Sequence, residues 1–179
     1  MTTHPPFTGK VFVGTSVDGF IARTDGTIEW LTSRGNALDD YGFDAFIADI
    51  DTVVLGRATY EELLGFGPDM WPYGDRRIAV LSTRLETDDS RVTVYRDLDQ
   101  LIAGLADSGA SNVYVDGGQT IQTFLRAGLI HEITITTVPV LIGTGLALFG
   151  PLDSDVPLNH RSTKDLGAGI VQSTYTVAA

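Results

Sequence analysis

The 179-residue sequence contains no cysteine. That excludes a disulfide framework, thiolate metal sites and cysteine nucleophiles. Lysine is nearly missing too: Lys10 and Lys164 are the only two, so ten of the twelve basic residues are arginines. Against them stand 23 acidic residues, for a formal charge of −11. Such a balance lacks the clustered positive charge on which nucleic-acid binding rests. Any anionic ligand must therefore be drawn by a few local arginines. No apolar run approaches the length of a membrane span, and the opening residues 1–7 (MTTHPPF) lack the basic region and apolar core of a signal peptide. A soluble, cytoplasmic protein with no membrane partner is expected. The three histidines, His4, His131 and His160, have no ligand spacing among them, so no metal site is expected either.

What is present has globular proportions, with 43% hydrophobic and 20% charged residues. Without repeats or linkers, residues 1–179 read as one domain, with 1–8 as a flexible tail. Strands are expected at residues 10–15, 52–55, 77–81, 92–95, 112–115 and 132–138 from short β-branched or apolar runs, those at 10–15, 52–55, 77–81 and 112–115 running into Ser, Gly, Ser and Asp. Helices are expected at 38–50, from about 59, at 98–106 and at 121–127, on apolar spacing of three and four. Residues 17–28 and 143–148 read as glycine-containing loops, and 169–177 as a closing antiparallel edge strand. Strands alternating with helices predict an α/β fold with a mostly parallel central sheet, flanking helices and an antiparallel C-terminal addition.

Three motifs follow predicted strands. The first is Leu55-Gly56-Arg57-Ala58-Thr59, where glycine admits a close backbone approach, the helix start offers free N–H groups, and Arg57 adds a planar cation. The second is Asp116-Gly117-Gly118-Gln119-Thr120, a glycine pair opening another helix. It lacks the three spaced glycines of the dinucleotide fingerprint. The third is Ser82-Thr83-Arg84, with hydroxyls and a guanidinium suited to a sugar phosphate. Each alone also reads as a tight turn. Together they sit at strand carboxyl ends, where open α/β sheets bind ligands.

In this order the motifs resemble the dihydrofolate reductase-like superfamily, and most closely its riboflavin-biosynthesis branch, the C-terminal reductase domain of the bifunctional deaminase-reductase. The likeness runs through residues 15–22 (TSVDGFIA), 54–61 (VLGRATYE), 115–120 (VDGGQT), 124–132 (FLRAGLIHE) and 138–145 (VPVLIGTG). It implies a three-layer dihydrofolate reductase-like fold and NADPH as cofactor. Gly14, Ile21 and Ala22 would line the nicotinamide. Gly56, Arg57 and Thr59 would meet phosphates, with Arg57 favouring the 2′-phosphate. Ser82, Thr83 and Arg84 would complete that pocket, and Gly117, Gly118, Gln119 and Thr120 would cradle the diphosphate. The substrate acid implied is Asp40, with Asp39 and Asp44 as rivals, together with Asp116, where that branch usually carries glutamate. Trp30 and Trp71 are candidate substrate contacts, the latter within Trp71-Pro72-Tyr73, which reads equally well as a plug over the core.

The resemblance implies hydride transfer to a flat heterocycle, pterin-like or pyrimidine-like. A riboflavin-pathway reductase is the alternative, for which Arg23 and Arg34 would have to meet a phosphoribosyl group. A nucleotide-binding protein without catalysis is a third reading. A homodimer formed through residues 132–138 and 140–149 is also implied.

Overall fold

A computed structural model describes residues 5–35 and 41–178. Its frame is an eight-stranded sheet. The strands in chain order are β1 (Thr8–Ser16), β3 (Thr52–Gly56), β4 (Arg77–Leu81), β5 (Val92–Tyr95), β6 (Asn112–Asp116), β7 (Glu132–Val138), β9 (Leu158–Asp165) and β10 (Val171–Val177). Their order across the sheet is β5-β4-β3-β6-β1-β7-β10-β9. Neighbours from β5 to β7 run parallel, whereas β10 is antiparallel to β7 and β9 antiparallel to β10. A small second sheet pairs β2 (Phe20–Ala22) with β8 (Leu146–Ala147).

The middle strands carry apolar residues on both faces, as parallel strands covered on both sides must. On one face Val11, Val54, Val113 and Val115 pack under α4 (Leu98–Asp107) and α5 (Gly118–Arg126), which bring Leu101, Leu105, Ile121 and Phe124. On the other, Val53, Leu55, Val80 and Tyr114 meet Ile47 and Ile50 at the end of α2 (Phe43–Ala48) and Tyr60 of α3 (Arg57–Gly65). A short α1 (Glu29–Gly35) lies on this second face, where a Cβ on Gly14 would come within 3.0 Å of Leu31 Cδ1. Helices on both faces of one sheet give the three layers that the sequence pattern predicts.

Several expectations shift. Residues 1–8 are not all tail, because Phe7 is buried and Thr8 opens β1. The segment expected to close the sheet does so only in part: β10 is interior, and β9 is the edge. Every residue of β9 is exposed, so its sequence carries no alternation to read. A register shift opposite Thr174 and Tyr175, with Arg161 and Lys164 on the strand, blunts that edge against further pairing. Helix α1 follows the expected 17–28 loop in residues where no helix is expected, and α5 begins at Gly118, within the glycine motif itself.

The ladder breaks at one place in the middle of the sheet. Strand β1 pairs with β6 only from Thr8–Asn112 to Lys10–Tyr114, yet with β7 it pairs from Lys10 through Ser16. Meanwhile β6 stays with β3 as far as Leu55–Asp116. The carboxyl ends of β1 and β6 therefore part, leaving a fork between the sheet's two halves.

Candidate functional site

Two of the three strand-end motifs meet beside this fork, and the third, Ser82-Thr83-Arg84, follows β4 on the far side of β3. Gly56 ends β3 and is the residue before α3, and Gly117 stands in the same position before α5. A Cβ on Gly56 would lie 2.7 Å from Thr120 Oγ1, and one on Gly117 would lie 2.6 Å from Thr59 Oγ1. The two turns are thus in contact, each filling the room that the other's missing side chain leaves. Gly118 in turn abuts Ile21: its Cβ would be 2.9 Å from Ile21 Cδ1 and 3.1 Å from the Ala147 carbonyl oxygen. The small β2–β8 sheet is thereby seated on the start of α5.

Electrostatics single out these two helix starts. Neither has a capping side chain, and neither has an acidic residue in its first turn. By contrast, α4 is capped by Asp97, whose carboxylate accepts from Gln100 N, and carries Asp99 in its first turn. Free N–H groups and the positive dipole end are what an anion uses. In a chain of charge −11, these two adjacent uncapped N-termini bring two positive dipole ends together. Arg57 adds the guanidinium, which is bound to Glu61 across one helical turn, with Nη1 at 2.9 and 2.7 Å from the two carboxylate oxygens.

The remaining expected residues are more dispersed. Ser82 ends the β4 turn, its Oγ accepting from the Arg84 and Leu85 amides, so the local turn already engages it. Thr83 and Arg84 are exposed beside it. Ala22 is buried and Gln119 exposed. Trp30 is buried, and its Nε1 has no acceptor among the described residues. Trp71 presents its edge to Tyr73, and the Arg91 guanidinium lies 4.1 Å over its ring. Of the candidate acids, Asp39 and Asp40 lie outside the described residues, and Asp44 is exposed in the first turn of α2. Arg34 donates to the Trp30 carbonyl, and Arg23 pairs with Glu29.

Asp116 sits at the tip of β6 facing the fork. Its Oδ1 accepts from Gly117 N at 2.9 Å, and its Oδ2 from the Tyr73 hydroxyl at 3.4 Å. Tyr114, two residues back on the same strand, donates its hydroxyl to the Phe12 carbonyl at 3.1 Å. Burial raises the carboxyl above the ordinary aspartate range, and the Gly117 and Tyr73 donors oppose that rise. Burial, reinforced by the nearby Asp116 carboxyl, likewise raises both phenols.

The residue of the Trp71-Pro72-Tyr73 loop that reaches the site is Tyr73. It is buried, and Arg76 holds its backbone by donating to the Tyr73 carbonyl while also capping α2 through the Ile47 and Ile50 carbonyls. No local signal marks Tyr73, because its partner lies 43 residues away. Asp89 accepts from Tyr60 Oη and holds Arg91 through two nitrogens, tying α3 to β5.

Comparison with known proteins decides the family. The model of the RibD C-terminal domain matches residues 8–172. The chain belongs to this family. As a RibD C-terminal domain it is 32% identical to the uncharacterized Bacillus subtilis (strain 168) protein YwjB over 163 residues, covering 89% of this chain and 92% of YwjB. A crystal structure from Shewanella sp. PV-4, provisionally named for riboflavin biosynthesis, superposes with a TM-score of 0.88 at 36% identity, covering 97% of this chain and 100% of that one. Dihydrofolate reductase from Enterococcus faecalis, complexed with NADP(H) and RAB-propyl, gives a TM-score of 0.66 at 17% identity, with 98% of each chain covered. The fold of this RibD C-terminal domain is therefore dihydrofolate reductase-like. Among the described residues, no helix is long and apolar enough to cross a membrane.

Proposed function

We propose that this protein is an NADPH-dependent reductase that passes hydride to a flat heterocyclic substrate, pterin-like or pyrimidine-like. One observation carries the reading: two uncapped, acid-free helix starts in mutual contact, with Arg57 at the first, in a strongly acidic chain. Gly56, Arg57 and Thr59 would meet phosphate, with Arg57 taking the 2′-phosphate. Gly117, Gly118, Gln119 and Thr120 would hold the diphosphate, with Thr120 acting through packing against Gly56. Ser82, Thr83 and Arg84 would close the adenosine side, and Gly14, Ile21 and Ala22 would line the nicotinamide end.

The bound cofactor supplies the hydride. The chain's own residues orient the substrate, exclude water and manage one proton. Asp116 faces the fork and is the acid assigned to the substrate. Trp30 offers an unpaired Nε1–H to a ligand. Trp71 backs Tyr73 rather than stacking on substrate directly. The exposed Leu141, Leu146 and Phe149 support a homodimer formed through this apolar region.

Family membership favours a second reading within the same chemistry, a reductase of riboflavin biosynthesis acting on a phosphoribosylaminopyrimidine. The first test is titration with NADPH and NADH, following tryptophan fluorescence. Tight NADPH binding and weak NADH binding are expected, and binding of neither would remove the reductase reading. Loss of NADPH absorbance with dihydropterin or with the phosphoribosyl substrate then separates the two activities.

A further inference from the structure

Past the Ser16–Val138 pair, the chains leaving β1 and β7 stay together without a ladder. Val17 N donates to the Val140 carbonyl at 2.9 Å. Next, Asp18 Oδ1 accepts from Ile142 N at 3.3 Å, and its Oδ2 accepts from Gly143 N at 2.8 Å. One carboxylate thus receives two consecutive amides, and its charge strengthens both bonds. Residues 139–145 form no regular structure, so their amides depend on partners of this kind. Gly143 has a φ of +79° there, a turn that glycine makes without strain. The clasp therefore joins the β1–β2 turn to the β7–β8 loop through one exposed side chain.

Beyond the clasp lies the β2–β8 ladder, with Phe20 opposite Ala147 and Ala22 opposite Leu146. So short a pair of strands is not stable by itself, and its place must be set from outside. From α5, Gln122 Nε2 donates to the Ala147 and Leu148 carbonyls at 3.1 and 3.4 Å. From the β1 side, Asp18 holds the loop that leads into β8. The packing leaves little slack. A Cβ on Gly145 would come to 2.3 Å from the Ala22 carbonyl oxygen, and Ile21 already abuts Gly118. A shift of the 142–145 backbone is therefore passed on to Ala22 and Ile21. We propose that Asp18 is a positioning residue for the cofactor, its carboxylate closing the 142–143 turn onto β2 and so holding Ile21 and Ala22 at the nicotinamide end. The proposal rests on the reading of Ile21 and Ala22 as the nicotinamide lining. Its effect is reciprocal: whatever the closed clasp adds to NADPH affinity, bound NADPH adds to closure of the clasp.

Asp18 is exposed and belongs to neither core cluster, so Asp18→Ala should fold. The test titrates wild type, Asp18→Ala and Asp18→Asn with NADPH and with adenosine 2′,5′-bisphosphate, which has the 2′-phosphate but no nicotinamide. Asp18→Ala should weaken NADPH by about ten-fold or more, the scale of one lost charge-assisted hydrogen bond, and leave the bisphosphate within about two-fold. Asp18→Asn keeps one acceptor oxygen and should fall between. Equal weakening of both probes, or an unchanged NADPH affinity in Asp18→Ala, overturns the proposal. If Asp18→Ala does not fold, amide hydrogen exchange at Ile142 and Gly143 in wild type replaces it. NADPH should slow that exchange, and exchange indifferent to NADPH overturns the clasp. The two readings fail differently. No NADPH binding by wild type sinks the reductase reading and the proposal with it, whereas wild-type binding that Asp18→Ala leaves intact sinks the proposal alone.

Discussion

The Thr59 hydroxyl occupies the space beside Gly117 so closely that a Cβ there would come to 2.6 Å. This contact joins the two helix starts, and Gly117 also has a φ of +97°. Gly117→Ala should therefore cost about 1–3 kcal/mol from backbone strain alone and push the two turns apart. Thermal melting should show the lost stability, and NADPH titration a loss of affinity exceeding that of an exposed glycine variant such as Gly109→Ala. Equal effects from the two would argue against a special role for the contact.

Arg57 is shared between Glu61 and any phosphate that arrives. Arg57→Ala should weaken NADPH binding by roughly 10- to 100-fold, the worth of a charge-assisted hydrogen bond, and leave NADH nearly unchanged. Glu61→Gln frees the guanidinium from an exposed pair worth at most about 1 kcal/mol, so NADPH should tighten by up to about five-fold. Parallel changes for both nucleotides would mean that Arg57 does not read the 2′-phosphate.

Asp116 is raised by burial, so the native state holds its proton to higher pH than the unfolded chain does. Its contribution to stability is complete below the unfolded aspartate value of about 3.9 and is lost as pH rises through the native value. Asp116→Asn should therefore gain stability relative to wild type as pH rises, and lose that advantage in acid. Denaturant midpoints across pH would show it. If Asp116 supplies a proton to substrate, turnover should fall by about 100-fold or more.

Asp89 behaves oppositely, since hydrogen bonds from Arg91 hold its carboxyl well below the usual range. Its stabilisation is present above the unfolded value and disappears as pH falls through the native one. Asp89→Asn should be less stable than wild type at neutral pH, with the gap closing in strong acid. A gap independent of pH would assign the loss to packing around Tyr60 instead.

The sheet's interior was legible because its strands are apolar on both faces. β4, β5 and β7 fall at their expected bounds, and β3 and β6 run one residue further. Edge strand β9 was not legible, since a strand exposed at every residue shows no period. The cofactor side of the site was readable because each motif is contiguous, with glycine, arginine and helix start within five residues. The acid side was not. Tyr73 reaches Asp116 from 43 residues away, and Tyr114 meets the Phe12 carbonyl where the β1–β6 ladder has stopped; no local pattern announces where a ladder will stop.

That early stop also sets how the molecule answers heat. Two half-sheets meet at the fork through a three-residue ladder, the shortest in the eight-stranded sheet, and one continuous core packs across it. A ligand seated there would add contacts to both halves and bind only the folded form. Occupancy and resistance to unfolding then rise together, by about 2.7 kcal/mol at a hundred-fold excess over Kd.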